Sequence, residues 1–160
     1  MYFDALSFLE DERETFRAYE TLDGLSDEQL EVVPLTDLGW TGRDLMGHIA
    51  MWQEVSLQVA KELAVNEASP TYEANRARWA IPGEADRFND ASLTAWRGMP
   101  LSEVRARFRG TAGELRGYLT VVPESRWIKH PTHQGYFFGE TTGHYEEHMP
   151  ELRAVLAAVS

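Results

Sequence analysis

Two histidines stand four residues apart in the run Thr141-Thr142-Gly143-His144-Tyr145-Glu146-Glu147-His148. On a helix, side chains at i and i+4 share a face one turn apart, so both imidazoles can reach one divalent ion. A third histidine, His48, lies far upstream. If the fold brings these segments together, three neutral nitrogen donors meet and leave coordination positions open. That is the pattern of a catalytic metal site and not of a closed structural one. The chain has no cysteine. Thiolate zinc sites, disulfides and a cysteine nucleophile are therefore excluded. Any ion must be held by His, Asp or Glu, and any sulfur nucleophile must come from outside the protein.

Taken alone, His48 reads most simply as a core histidine bonded to a neighbour. The pair changes that balance. Two inward imidazoles must each satisfy ring nitrogens away from water, and a shared ion satisfies one nitrogen on each. Glu140, one turn before His144, is a candidate general base or hydrogen-bond acceptor beside the ligands. His130 and His133 fall in a loop running from Trp127 to Tyr136, read either as solvated or as a cap over the site's mouth. In the second case His133 supplies a polar contact to substrate. Glu146 and Glu147 point away from the histidine face and read as surface charges. Trp52, one turn beyond His48, reads as core.

The elements that must position these residues are helical from end to end. A first helix is expected over about Phe3 to Leu22, with Leu6, Leu9, Phe16 and Tyr19 among its apolar positions. Thr41-Gly42-Arg43-Asp44 is a variant capping box that opens a second helix. Leu45, Ile49, Trp52, Val55, Val59 and Leu63 then recur at spacings of three and four, and His48 falls on that stripe. Tyr72 to Trp79 and Glu84 to Arg97 predict shorter helices in the connection that follows. A third long helix runs from Ser102-Glu103 to about Val121, with Val104, Phe108, Leu115, Tyr118 and Val122 as its stripe and Arg105, Arg107 and Arg109 on a solvated face. The last helix is expected from Phe137 or Phe138, with His144 and His148 on its inner stripe and a kink at Pro150. No period-2 strand is apparent. The sum is a helical bundle.

With 160 residues the chain is expected to form a single domain over 1–160, long enough to bury a sizeable core. The net charge of −11 argues against nucleic acid or an anionic membrane surface as partner. No run of about 18 apolar residues exists for a membrane span. The start, Met1-Tyr2-Phe3-Asp4, lacks the basic and apolar regions of a signal peptide, so the expected location is cytoplasmic.

The stretch Trp40-Thr41-Gly42-Arg43-Asp44-Leu45-Met46-Gly47-His48-Ile49-Ala50-Met51-Trp52 resembles the second-helix signature of the DinB-like superfamily. That group includes the YfiT-type metal-dependent hydrolases and the N-terminal domain of mycothiol-dependent maleylpyruvate isomerase. Thr142-Gly143-His144-Tyr145-Glu146-Glu147-His148 is similar to the family's closing His-x-x-x-His element, and Asp86-Arg87-Phe88-Asn89 is a weaker match. The resemblance covers nearly the whole chain. It implies an all-α, up-down-down-up four-helix bundle with extra short helices in the helix 2–3 connection, and a homodimer. It also implies a divalent metal on His48, His144 and His148, zinc or nickel first, with iron or manganese as alternatives. The activity implied is thiol-cofactor chemistry, S-transfer or isomerisation with mycothiol, bacillithiol or glutathione. The isomerase branch carries a further C-terminal domain, whereas this chain ends at Ser160, so S-transfer is the expectation.

Three readings of function follow. The first is a metal-dependent enzyme acting on a small-molecule substrate. Either an external low-molecular-weight thiol is held as thiolate for S-transfer, or metal-bound water is activated for hydrolysis. Glu140 and His133 are the proton-relay candidates. The second is a non-catalytic bundle that sequesters a small hydrophobic metabolite, for which five Trp supply the walls. The third is a structural bundle with satisfied core histidines.

Overall fold

The computed structural model describes residues 1–160, and every regular element in it is helical. The helices are α1 (Ala5–Phe16), α2 (Asp27–Leu30), α3 (Gly42–Val65), α4 (Pro70–Trp79), α5 (Glu84–Arg97), α6 (Leu101–Val121), α7 (His133–Glu140), α8 (Thr142–Glu147) and α9 (Met149–Ala158). Short 3-10 turns cover Tyr19–Gly24 and Glu124–Arg126. No helix is long and apolar enough to cross a membrane.

The capping box that opens α3 forms as the sequence predicts. The Thr41 hydroxyl accepts from the Asp44 amide, and the Asp44 carboxylate accepts from the Thr41 amide. Asp44 also holds Arg97 of α5 in a two-point pair, Nε to Oδ1 at 2.9 Å and Nη2 to Oδ2 at 2.8 Å. One residue therefore caps the start of a helix and ties it to a neighbour. The α3 helix is the spine of the molecule, buried along nearly every face. It packs along α6 and also touches α4, α5, α7 and α9. Next to His48, Gly47 lets α5 approach closely: a Cβ there would lie 3.0 Å from Trp96 Cβ.

The first helix departs from expectation. It stops at Phe16, and after a turn at Arg17 and Ala18 the stretch Tyr19–Gly24 is 3-10. Leu6 and Phe3 are exposed, and the buried stripe is Phe8, Glu12, Phe16 and Tyr19. A carboxylate thus occupies the middle of an apolar stripe. It is accommodated because Arg116 of α6 pairs with Glu12 and the Tyr145 hydroxyl donates to it at 2.8 Å. Gln53 of α3 donates to the same hydroxyl at 2.9 Å. Tyr19 donates to the Tyr145 carbonyl at 2.5 Å.

Of the α6 arginines, Arg109 is exposed as expected, but Arg105 is not on a solvated face. The side chain of Arg105 is only 12% exposed and bonds the carbonyls of Asp23 and Leu25 and the carboxylate of Asp27. Arg107 pairs with Glu54, and Arg109 with Asp23. Leu119, and not Tyr118, is the fully buried residue of the last turns of α6.

The last helical segment starts earlier than expected, at His133, and is broken twice. The first break is Thr141 (φ −123°, ψ −102°). The second is His148 (φ −93°, ψ 9°), just before Pro150 at the second position of α9. Pro150 has no N–H to offer the Glu146 carbonyl. The His148 amide reaches back to that carbonyl as well as to His144, so the expected kink is a change of helix.

Candidate metal centre

His48 projects from the second turn of α3, His144 from α8, and His148 from the junction of α8 and α9. Their Nε2 atoms converge: His48 lies 3.0 Å from His144 and 3.1 Å from His148. His48 and His144 are buried and His148 is half-buried. The Trp40 indole packs over His48 with centroids 4.6 Å apart and over His148 at 5.5 Å. The break at His148 keeps the i, i+4 relation, because the His148 amide still bonds the His144 carbonyl at 3.1 Å.

These three nitrogens do not satisfy one another. A neutral imidazole Nε2 either carries a proton and donates, or carries a lone pair and accepts. If His48 donates, it serves one neighbour properly; if it accepts, it receives from one. At least one Nε2 is left without a partner, beside a buried His144 Nδ1 that also has none. Added protons are no remedy. Burial drives the His48 pKa down to about 3, and the neighbouring His148 lowers it further. Burial takes His144 to about 2, helped by His48 and His148. Burial lowers His148 as well, against the opposing pull of Glu151 and Glu147. Three neutral donors aimed at one point, with an unmet lone pair, fit a divalent cation. Glu151 Oε2 stands 3.6 Å from His148 Nδ1, beyond hydrogen-bond reach, and both atoms are buried without a partner.

The histidines form part of the lining of a cavity of about 570 Å3. Trp40, Trp52, Trp79 and Leu38 supply its apolar surface. Asp86, Asn89, Asp90, Glu140 and Glu147 supply most of the rest. Glu140, at the end of α7, is in this lining as a general base requires. Burial pushes its pKa up to about 7; a hydrogen bond from Asn75 opposes the rise and the charge of Glu147 adds to it.

His133 is elsewhere. It is buried at the start of α7, bonded through Nδ1 to the Arg126 carbonyl at 2.6 Å, stacked on His130 and edge-on to Tyr72. It is absent from the cavity lining. Of the loop expected over Trp127 to Tyr136, the part up to Thr132 is non-helical and the part from His133 opens α7, which His133 anchors. Glu147 corrects the opposite way: it is exposed, yet it lines the cavity, whereas Glu146 does not. Trp52 is buried as expected but also faces the cavity, with its Nε1 donating to Asn89 Oδ1 at 3.0 Å. Trp40, Trp79, Asp86 and Asp90 had no assigned role. The available signal was the face of α5: Asp86, Asn89 and Asp90 stand at i, i+3 and i+4 of one helix.

A family model for the DinB superfamily matches residues 9–157. The chain belongs to the DinB superfamily. Comparison with curated proteins and with solved structures found no match.

Proposed function

We propose that this protein is a divalent-metal-dependent S-transferase that joins a low-molecular-weight thiol to an electrophilic carbon of a small molecule. The observation that carries the reading is the convergence of three histidine Nε2 atoms on one cavity. A divalent ion bound there would hold a sulfur ligand as thiolate at neutral pH. His48, His144 and His148 are the residues that would carry it, each already neutral because burial opposes its protonation.

Glu140 takes the thiol proton. Its pKa of about 7 suits a base that works near neutrality. The sulfur–carbon bond then forms as the bond from carbon to its leaving group breaks. The leaving group departs with the electron pair, and Glu140 returns the proton to it or to water. Trp40, Trp52 and Trp79 give the electrophile an apolar wall. Zinc or nickel is the proposed ion and a homodimer the proposed working form, as the family resemblance implies.

Cobalt-substituted protein titrated with mercaptoethanol tests this. A changed ligand-field spectrum at millimolar thiol is expected. So is thiol-dependent chloride release from 1-chloro-2,4-dinitrobenzene that His144→Ala abolishes. A spectrum unmoved by thiol contradicts S-transfer, and consumption of the electrophile without thiol replaces it with hydrolysis.

A further inference from the structure

Every charged residue in the cavity lining apart from the histidines is acidic: Asp86, Asp90, Glu140 and Glu147. None of them makes an ion pair. The basic residues nearby in sequence are engaged elsewhere. Arg76 pairs with Glu73 and Arg87 with Glu84. The Arg78 guanidinium lies over the Phe88 ring at 3.9 Å and bonds Asn75. A divalent ion on three neutral imidazoles offsets only part of this charge. The second observation is aromatic. Trp79 lines the cavity yet is 56% exposed, a large indole left in water at its mouth. It stands 6.0 Å from Trp52, and Trp40 lines the same space. Indole faces beside unpaired carboxylates attract an organic cation by two independent effects, the ring quadrupole and Coulomb attraction.

We infer that the cavity formed by α3, α4, α5 and the α7–α8 segment recognises an organic ammonium group, with Trp52 and Trp79 contacting the cation and its apolar body and Asp86 and Asp90 pairing with its charge. This deepens the S-transferase reading and rests on it for the reaction. It narrows the substrate, either the thiol or the electrophile, to a molecule that carries an amine. A ligand bearing extra carboxylates is disfavoured by the charges of Asp86, Asp90 and Glu147. Asp86 and Asp90 are specificity determinants in this view, distant in role from the imidazoles.

Tryptophan fluorescence of chelator-treated protein at low salt tests the inference without any turnover. The probes are phenethylamine, 2-phenylethanol and 3-phenylpropionate, alike in their aryl ring and different in charge. Phenethylamine is expected to bind roughly threefold to tenfold more tightly than 2-phenylethanol, with 3-phenylpropionate weakest. The preference should shrink in high salt, where exposed charges are screened. It should also shrink in Asp86→Asn/Asp90→Asn, whose sites are exposed and tolerate the change. Trp79→Ala should weaken all three probes. Equal binding of phenethylamine and 2-phenylethanol, or a preference that survives the double substitution, overturns the inference. The cobalt titration with mercaptoethanol reads the S-transfer reading separately. A spectral change with no ammonium preference sinks only the inference, and an ammonium preference with a silent spectrum sinks only S-transfer.

Discussion

Glu140 and the three histidines face opposite protonation problems in one cavity. Burial strips protons from the imidazoles and holds one on the carboxyl, whose pKa stands at about 7 against an ordinary 4.5. Between those values the folded metal-free protein keeps a proton that the unfolded chain releases. Glu140 therefore favours folding fully below pH 4.5, and that contribution is lost as pH rises through 7. Melting temperatures of wild type and Glu140→Gln, measured from pH 4 to 8 in EDTA, should diverge in favour of the variant up to about pH 7 and then run parallel. Parallel curves throughout would show that Glu140 titrates normally. The three histidines were legible in sequence because helical spacing places residues on a common face, whereas Glu140 lines the cavity from the far side of the break at Thr141. Trp40, Trp79, Asp86, Asp90 and Glu147 were not legible. They reach the cavity from four different segments, and no local pattern relates a loop tryptophan to an acidic turn in α5. His133 was misassigned because a Pro- and Gly-containing stretch reads as loop, whereas its amide run begins a helix held by the Arg126 carbonyl.

Among the elements, α3 was read almost residue for residue, because its cap and its apolar stripe agree with each other. Thr41→Ala removes the hydroxyl that accepts from the Asp44 amide and should cost about 1 kcal/mol, measured by urea unfolding. Gly47→Ala meets Trp96 and should cost about 1–3 kcal/mol by overpacking. It also shifts α3 beside His48, so weaker metal binding is expected along with the lost stability. An Ala variant as stable as wild type would mean that α5 retreats freely. The α1 stripe was harder to read, since a carboxylate at Glu12 signals a solvent face unless its buried partners are known. The break at Thr141 has no sequence signal that we can identify; its hydroxyl bonds the Phe137 carbonyl at 2.5 Å inside the turn. Pro150 does mark the second break, and the physical reason is its missing amide hydrogen.

At the scale of the molecule, one buried polar network joins the helices that carry the ligands. Glu12 of α1, Arg116 of α6, Gln53 of α3 and Tyr145 of α8 meet in the core, and Tyr145 is the immediate neighbour of His144. Glu12→Ala leaves the arginine and the tyrosine without their shared acceptor and should cost about 3–5 kcal/mol in urea unfolding. A loss below about 1 kcal/mol would mean that water replaces the carboxylate. None of this network was visible in sequence, because its members are separated by up to 133 residues. Membership of the DinB superfamily agrees with the all-helical fold, and any metal chemistry depends on the three imidazoles. Metal content per chain, by plasma mass spectrometry of protein expressed without an affinity tag or nickel column, tests them most directly. We expect close to one divalent ion per chain in wild type and almost none in His144→Ala. Substoichiometric metal that His144→Ala leaves unchanged would contradict the metal centre and return the three histidines to the core.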